Sequence, residues 1–229
     1  MPCSAWLTMI FDTKTHPKAE ALLQKAMQEL SQADPTLAGI IRRIGPCQLS
    51  MGRRNHYFAS LVEAIVYQQL AGKAAAAILS RFRSLFPSRR FPRPEQIHRM
   101  PEIQLRAAGL SPQKIAYLRD LSSRLLDGSF HFRGLSAMED AKVIQHLTQV
   151  KGVGRWTAEM FLIFTLGRPD VLPLDDLGIR KAVQKAYGFR AMPSARTLER
   201  IGRKWQPYRS VAAWYLWASV DGNNAAQPQ

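Results

Sequence analysis

The sequence predicts an all-α protein. Apolar residues recur at helical spacing along most of the chain, capping side chains precede several of these runs, and no segment shows sustained two-residue alternation bounded by hairpin turns. Residues 17–32 form the first pattern. Asp34-Pro35 opens the second, over 35–44: an aspartate accepts from the first amides of a helix, and proline there lacks an N–H that would go unpaired. Asn55 precedes the third, 56–69, in which Leu61, Ala64, Ile65 and Gln68 fall on one face. The fourth, 72–86, holds the alanine run Ala74–Ala77, expected at a close helix–helix contact. Pro87 to Pro94, with Arg89, Arg90 and Arg93, reads as a basic connector. Ser111-Pro112 starts 112–127, and 139–149 and 153–166 follow, parted by a glycine turn. The last patterns are 177–187, then 195–204 behind Ser194, then 208–220.

The 229 residues, 46% hydrophobic, suffice for one sizeable core, arranged in two lobes. Lys and Arg total 32 against 17 Asp and Glu, a net charge of +15 that favours a polyanion and makes its binding sensitive to salt. The charge runs from Lys14 to Arg209 and residues 223–229 carry none, so a charged tail does not account for it. No stretch reaches membrane-spanning length, and the N-terminus lacks a basic region followed by an apolar core; a soluble, intracellular protein is expected, cytoplasmic or nucleoid-associated if bacterial. Cys3 and Cys47 cannot build a disulfide framework, and the histidines at 16, 56, 98, 131 and 146 lack the i, i+4 pairing of a zinc site.

Gly152-Val153-Gly154 lies between two helical patterns, where glycines let backbone N–H groups approach an anion without obstruction by Cβ atoms. Such a turn grips a phosphate without reading sequence; a tight connection that needs φ > 0 would use the same residues. Downstream, Asp175-Asp176 sits between apolar neighbours in Leu172-Pro-Leu-Asp-Asp-Leu-Gly-Ile-Arg180. Either carboxylate suits electrostatic catalysis, and either suits capping of the helix that begins near Leu177.

Three motifs occur in order: Val150-Lys-Gly-Val-Gly-Arg-Trp-Thr-Ala158, the Leu172–Arg180 segment, and Trp205-Gln-Pro-Tyr-Arg-Ser-Val-Ala-Ala-Trp-Tyr-Leu-Trp217. With Ala64-Ile-Val-Tyr-Gln-Gln-Leu70 and Gly109-Leu-Ser-Pro-Gln-Lys-Ile-Ala-Tyr117, they extend a likeness from about Asp34 to Trp217. The chain resembles the helix-hairpin-helix superfamily of DNA glycosylases, and within it 3-methyladenine DNA glycosylase II most. The resemblance implies a two-lobed helical fold with its active site in the cleft between lobes. It also implies a partly helical N-terminal extension over 1–33, a glycosylase core over 34–220 and a polar tail over 221–229, without the N-terminal β-rich domain of longer members.

Carried over by position, the resemblance makes Asp176, 20 positions after Trp156, the catalytic carboxylate, with Asp175 in support. It places the amides of Gly152, Gly154 and Thr157 at a DNA phosphate, and the carbonyls of Thr148, Val150 and Val153 on a structural monovalent cation, Na+ or K+. Lys151 and Arg155 would add charge there, though solvated loop residues look the same; Lys114 and Arg209 are weaker candidates for phosphate contacts. Trp156, Met160, Leu177 and Trp217 would line the base pocket, although aromatic and apolar residues at helical spacing equally fit a core. Gln69 is implied as the wedge that fills the space of a flipped base, with Leu70 the neighbouring alternative and a solvated helix end the plain reading.

Relatives that also cut the backbone carry lysine where Trp156 stands, because an amine can form a Schiff base with the sugar. Tryptophan cannot. The implied activity is therefore a monofunctional glycosylase, without an iron–sulfur cluster or required cofactor, acting as a monomer on double-stranded DNA with alkylated bases. 3-Methyladenine is the expected substrate, with 7-methylguanine, hypoxanthine and ethenoadenine as further candidates; such bases are electron-poor, leave readily and stack on aromatic faces. Three other readings are open: a non-enzymatic helix-hairpin-helix DNA-binding module, a glycosylase for another damaged base, and a helical protein-interaction scaffold.

Overall fold

A computed structural model describes residues 17–50, 56–87 and 90–220. Twelve α-helices occur among them, with no strand. The chain divides into two compact units, one built from residues 1–53 and 162–229, the other from 54–161.

The first unit holds α1 (Pro17–Ala33), α2 (Pro35–Ile44), α10 (Leu177–Ala186), α11 (Ala195–Gly202) and α12 (Arg209–Val220), with a 3-10 turn at Arg203–Trp205. Leu23, Ala26 and Leu30 of α1 are buried, and α1 packs on α2 and α12, so the segment before Asp34 belongs to this unit's core. α12 is buried all round from Ser210 to Trp217, which is why its sequence is apolar without a polar face.

Asp34 ties this unit together. It is fully buried, caps α2 through Thr36 N (3.0 Å) and Leu37 N (3.3 Å), and accepts from Trp205 Nε1 (2.8 Å), Lys204 Nζ (3.0 Å) and the Tyr187 hydroxyl. Burial pushes its carboxyl upward, but these donors outweigh it and hold the group below the usual carboxylate range. Cys47 is buried, and desolvation pushes its thiol up to about 12.

The second unit comprises α3 (Tyr57–Tyr67), α4 (Gly72–Ser84), α5 (Pro94–Arg99), α6 (Glu102–Ala107), α7 (Pro112–Leu126) and α8 (Asp140–Leu147). The unit boundary falls within α9 (Arg155–Phe164), between Phe161 and Leu162. α7 packs on α3, α5 and α6. The expected caps Ser111 and Ser194 both form, on Lys114 N (3.2 Å) and Thr197 N (3.1 Å).

Several expectations shift. Asn55 and Arg89 lie outside the described residues, as do Cys3, His16 and the tail 221–229. Two short helices, α5 and α6, occupy a stretch read without any helix. In the alanine run only Ala75 is buried; Ala74, Ala76 and Ala77 face solvent, because alanine is chosen there for helix propensity and not for close packing.

Candidate functional site

In the second unit, α8 and α9 are joined by a turn whose bonds account for its sequence. Val150 N donates to Leu147 O, Val153 N to Val150 O, and Ala158 N to Gly154 O, the last marking the start of regular α9 pairing. The amides of Gly154, Arg155, Trp156 and Thr157 therefore form the first turn of a helix, where N–H groups lack intrahelical acceptors and attract an anion. Gly152 has φ +79°, and a Cβ there would stand 2.1 Å from Cδ2 of Tyr117, so both backbone and space demand glycine. Around Gly154 nothing lies within 4 Å of an added Cβ: this glycine leaves open space at the helix start.

Neutral backbone oxygens such as those expected from Thr148, Val150 and Val153 are the kind of donor that replaces the hydration shell of a monovalent cation. Val150 O keeps one lone pair after accepting from Val153 N at 3.1 Å. Lys151 is exposed, while Arg155 is committed to the buried Glu159 at 2.9 Å.

Beyond α3, the chain turns through Tyr67-Gln68-Gln69-Leu70. Gln68 (φ −52°, ψ 132°) followed by Gln69 (φ +59°), closed by Leu70 N to Tyr67 O at 3.3 Å, is a type II turn. Glycine normally takes the third position. Gln69 is the one non-glycine residue at positive φ among those described, at a cost on the order of 1 kcal/mol, and it is exposed. Gln68, which the sequence reading left as a helix-face residue, donates from Nε2 to Gly152 O at 2.8 Å and to Thr157 Oγ1 at 3.4 Å.

Lys114 and Arg209 are engaged internally. Lys114 Nζ donates to Val66 O at 2.6 Å, and burial lowers its pKa. Arg209 grips Asp170 through Nε (2.7 Å) and Nη2 (2.9 Å). Both cations thus hold internal acceptors, which gives each a structural role beside the expected one.

In the first unit, Asp176 is 5% exposed and is the N-cap of α10. Its Oδ1 accepts from Ile179 N at 2.8 Å and from Trp217 Nε1 at 2.9 Å. These two donors are uncharged and fix the orientation of the carboxylate. Of the aspartate pair, Asp176 is the cap and the buried carboxylate, while Asp175 is exposed. Gly178 makes room, since a Cβ there would lie 3.1 Å from Asp176 Oδ1 and 3.2 Å from Trp217 Cδ1. Ser210 Oγ donates to Arg168 O (2.7 Å) and accepts from Val171 N (2.9 Å), which pins the segment upstream of Pro173 to α12.

Of the implied pocket residues, Leu177 is 38% exposed and Trp156 half-buried, while Met160 and Trp217 are completely buried. Trp217 packs 5.8 Å from the Phe164 ring. Its burial and its bond to Asp176 make it a support of the carboxylate.

Residues 62–207 match the family model described as HhH-GPD superfamily base excision DNA repair protein. The chain is 34% identical over 212 residues to DNA-3-methyladenine glycosylase 1 of Schizosaccharomyces pombe, covering 91% of this chain and 92% of that protein. The solved 3-methyladenine DNA glycosylase of the same yeast, in complex with abasic DNA, superposes with a TM-score of 0.77 at 32% identity, over 89% of this chain and 100% of that one. DNA-3-methyladenine glycosidase from Bacillus halodurans gives a TM-score of 0.73 at 38% identity, over 86% and 89%.

Proposed function

The chain belongs to the HhH-GPD superfamily of base excision DNA repair proteins, and on that premise we propose that it is a monofunctional glycosylase of the DNA-3-methyladenine type, hydrolysing alkylated purines out of duplex DNA. The observation that carries this reading is the buried Asp176 carboxylate, oriented through Oδ1 by Trp217 and Ile179 in a chain whose relatives are named for alkylbase excision. As the N-glycosidic bond breaks, the sugar gains positive charge. A carboxylate held beside it stabilises that charge, and it can also orient or deprotonate the attacking water.

The remaining residues supply grip and access. The amides of Gly152, Gly154 and Thr157 hold a phosphate, which fixes register without selecting a base. Thr148, Val150 and Val153 would hold a monovalent cation through their carbonyls, adding positive charge beside that phosphate. Gln69, or Leu70 as the neighbouring alternative, would fill the gap left by the flipped base. Trp156 and Leu177, which keep exposed surface, are the residues proposed to stack on that base. No helix among the described residues is long and apolar enough to cross a membrane.

A base-release assay tests the proposal. Incubated with methylated duplex DNA in EDTA, the protein should release 3-methyladenine, and strands should break only after alkali. Borohydride should trap no adduct, because position 156 carries no amine. Tight DNA binding without release would favour a non-enzymatic module, and a trapped adduct would overturn the monofunctional mechanism. Release from hypoxanthine, ethenoadenine and 7-methylguanine duplexes would rank the substrates.

A further inference from the structure

The wedge turn and the phosphate-gripping turn rest on the same helix. Lys114, Tyr117 and Asp120 form a stripe along α7: Lys114 Nζ holds Val66 O at the end of α3, the Tyr117 ring lies where a Cβ of residue 152 would stand, and Asp120 Oδ2 accepts from Lys151 N at 2.9 Å. Gln68 joins the two turns directly. Its amide nitrogen donates to the carbonyl at the hairpin apex (2.8 Å) and lies 3.4 Å from the Thr157 hydroxyl in the first turn of α9. Gln69, the next residue, carries the strained left-handed backbone.

We propose that Gln68 is a positioning residue for base flipping: it locks the wedge turn to the hairpin, so that holding a phosphate also holds Gln69 in its insertion geometry. The inference rests on the assignment of Gln69 as wedge and deepens it. A type II turn with glutamine at its third position relaxes unless something outside the turn fixes its peptide planes, and the Gln68 amide is so placed. The bond's contribution appears in the step that moves the base, and little in the initial grip.

Gln68→Met tests this, because it keeps length and volume but removes the donors. Single-turnover release of 3-methyladenine from methylated duplex, at saturating enzyme, should slow about threefold to tenfold, the size of one net hydrogen bond. Affinity for undamaged duplex should stay within about twofold, and in a Gln69→Ala background the same change should add less than about twofold, since coupled residues are non-additive. Gln68→Lys, which reaches the same oxygens with an ammonium donor, should restore release. Should the methionine variant melt below the assay temperature, Gln68→Asn, too short to reach, takes its place with the same expectation.

An unchanged rate, full additivity with Gln69→Ala, failure of the lysine rescue, or equal losses in affinity and rate would each overturn the coupling. If Gln69→Ala alone leaves release unchanged, the wedge assignment fails, and the coupling with it. Failure of base release in the unaltered protein would instead strike the proposed activity.

Discussion

Replacing Asp176 by asparagine and by alanine separates its chemical role from its structural one. Asparagine presents an oxygen where Oδ1 stands, so it can keep the acceptor for Ile179 N (2.8 Å) and Trp217 Nε1 (2.9 Å). Asparagine and aspartate cap helices about equally, so stability should change by less than about 1 kcal/mol. Alanine removes the cap, at about 1 kcal/mol. It also leaves the Trp217 indole N–H buried without this acceptor, at about 1–3 kcal/mol more. For a chain of this size the sum corresponds to a melting temperature lowered by roughly 5–15 °C. Base release should behave oppositely: both variants lose the charge facing the developing cation and should fall at least about a hundredfold. Single-turnover release of 3-methyladenine from methylated duplex, alongside a thermal melt, reads both quantities. Near-parental turnover by Asp176→Asn, or an inactive Asp175→Asn, would refute the catalytic assignment; equal melting of the alanine and asparagine variants would refute the capping argument.

Gly154→Ala should fold normally and weaken binding to damaged and undamaged duplexes alike, because its Cβ enters open space at the anion-binding turn; titration against both duplexes checks this, and a loss confined to one lesion would contradict it. Gly152→Ala should instead destabilise by about 1–3 kcal/mol or more, through its φ of +79° and the Tyr117 ring 2.1 Å away, which a denaturant melt would show. Asp34, held below its usual pKa by its donors, contributes stability fully present above about pH 4 and lost as pH falls through the lower folded value. Melts between pH 2 and pH 6 (roughly the span over which such a group titrates) should accordingly show a steep acid limb that Asp34→Asn flattens; an unchanged slope would place the acid sensitivity elsewhere. With a net charge of +15, DNA affinity should fall steeply as salt rises, and Arg209→Gln should leave that slope unchanged because Arg209 is engaged by Asp170.

The helical class and the caps at Asp34, Ser111 and Ser194 were legible because short polar side chains announce helix starts locally. α5 and α6 were not, since six residues are too few to display a period. Positive charge was legible as a total but not as a function. Whether Arg209 faces a phosphate or an internal acid depends on Asp170, 39 positions away, and Lys114 is claimed by a carbonyl 48 positions before it. Asp176 and Asp175 could be ranked only through the resemblance, and the structure adds that the buried member of the pair is the one so ranked. Gln68 carried a usable signal, standing beside the implied wedge in Tyr67-Gln-Gln-Leu70. Its partners, Gly152 and Thr157, lie 84 and 89 positions on, beyond what local pattern reveals.

The cap formed by Asp176 has an evolutionary consequence. Aspartate and asparagine codons differ by a single base, and under the proposed catalytic role that one change would extinguish base release while leaving a helix start that satisfies Ile179 and Trp217. Most other replacements at this position would lower folding stability and expose the product to cellular proteolysis. On that proposal, a gene copy drifting to asparagine would persist as an abundant, well-folded protein that binds DNA without releasing a base, in competition with an intact copy.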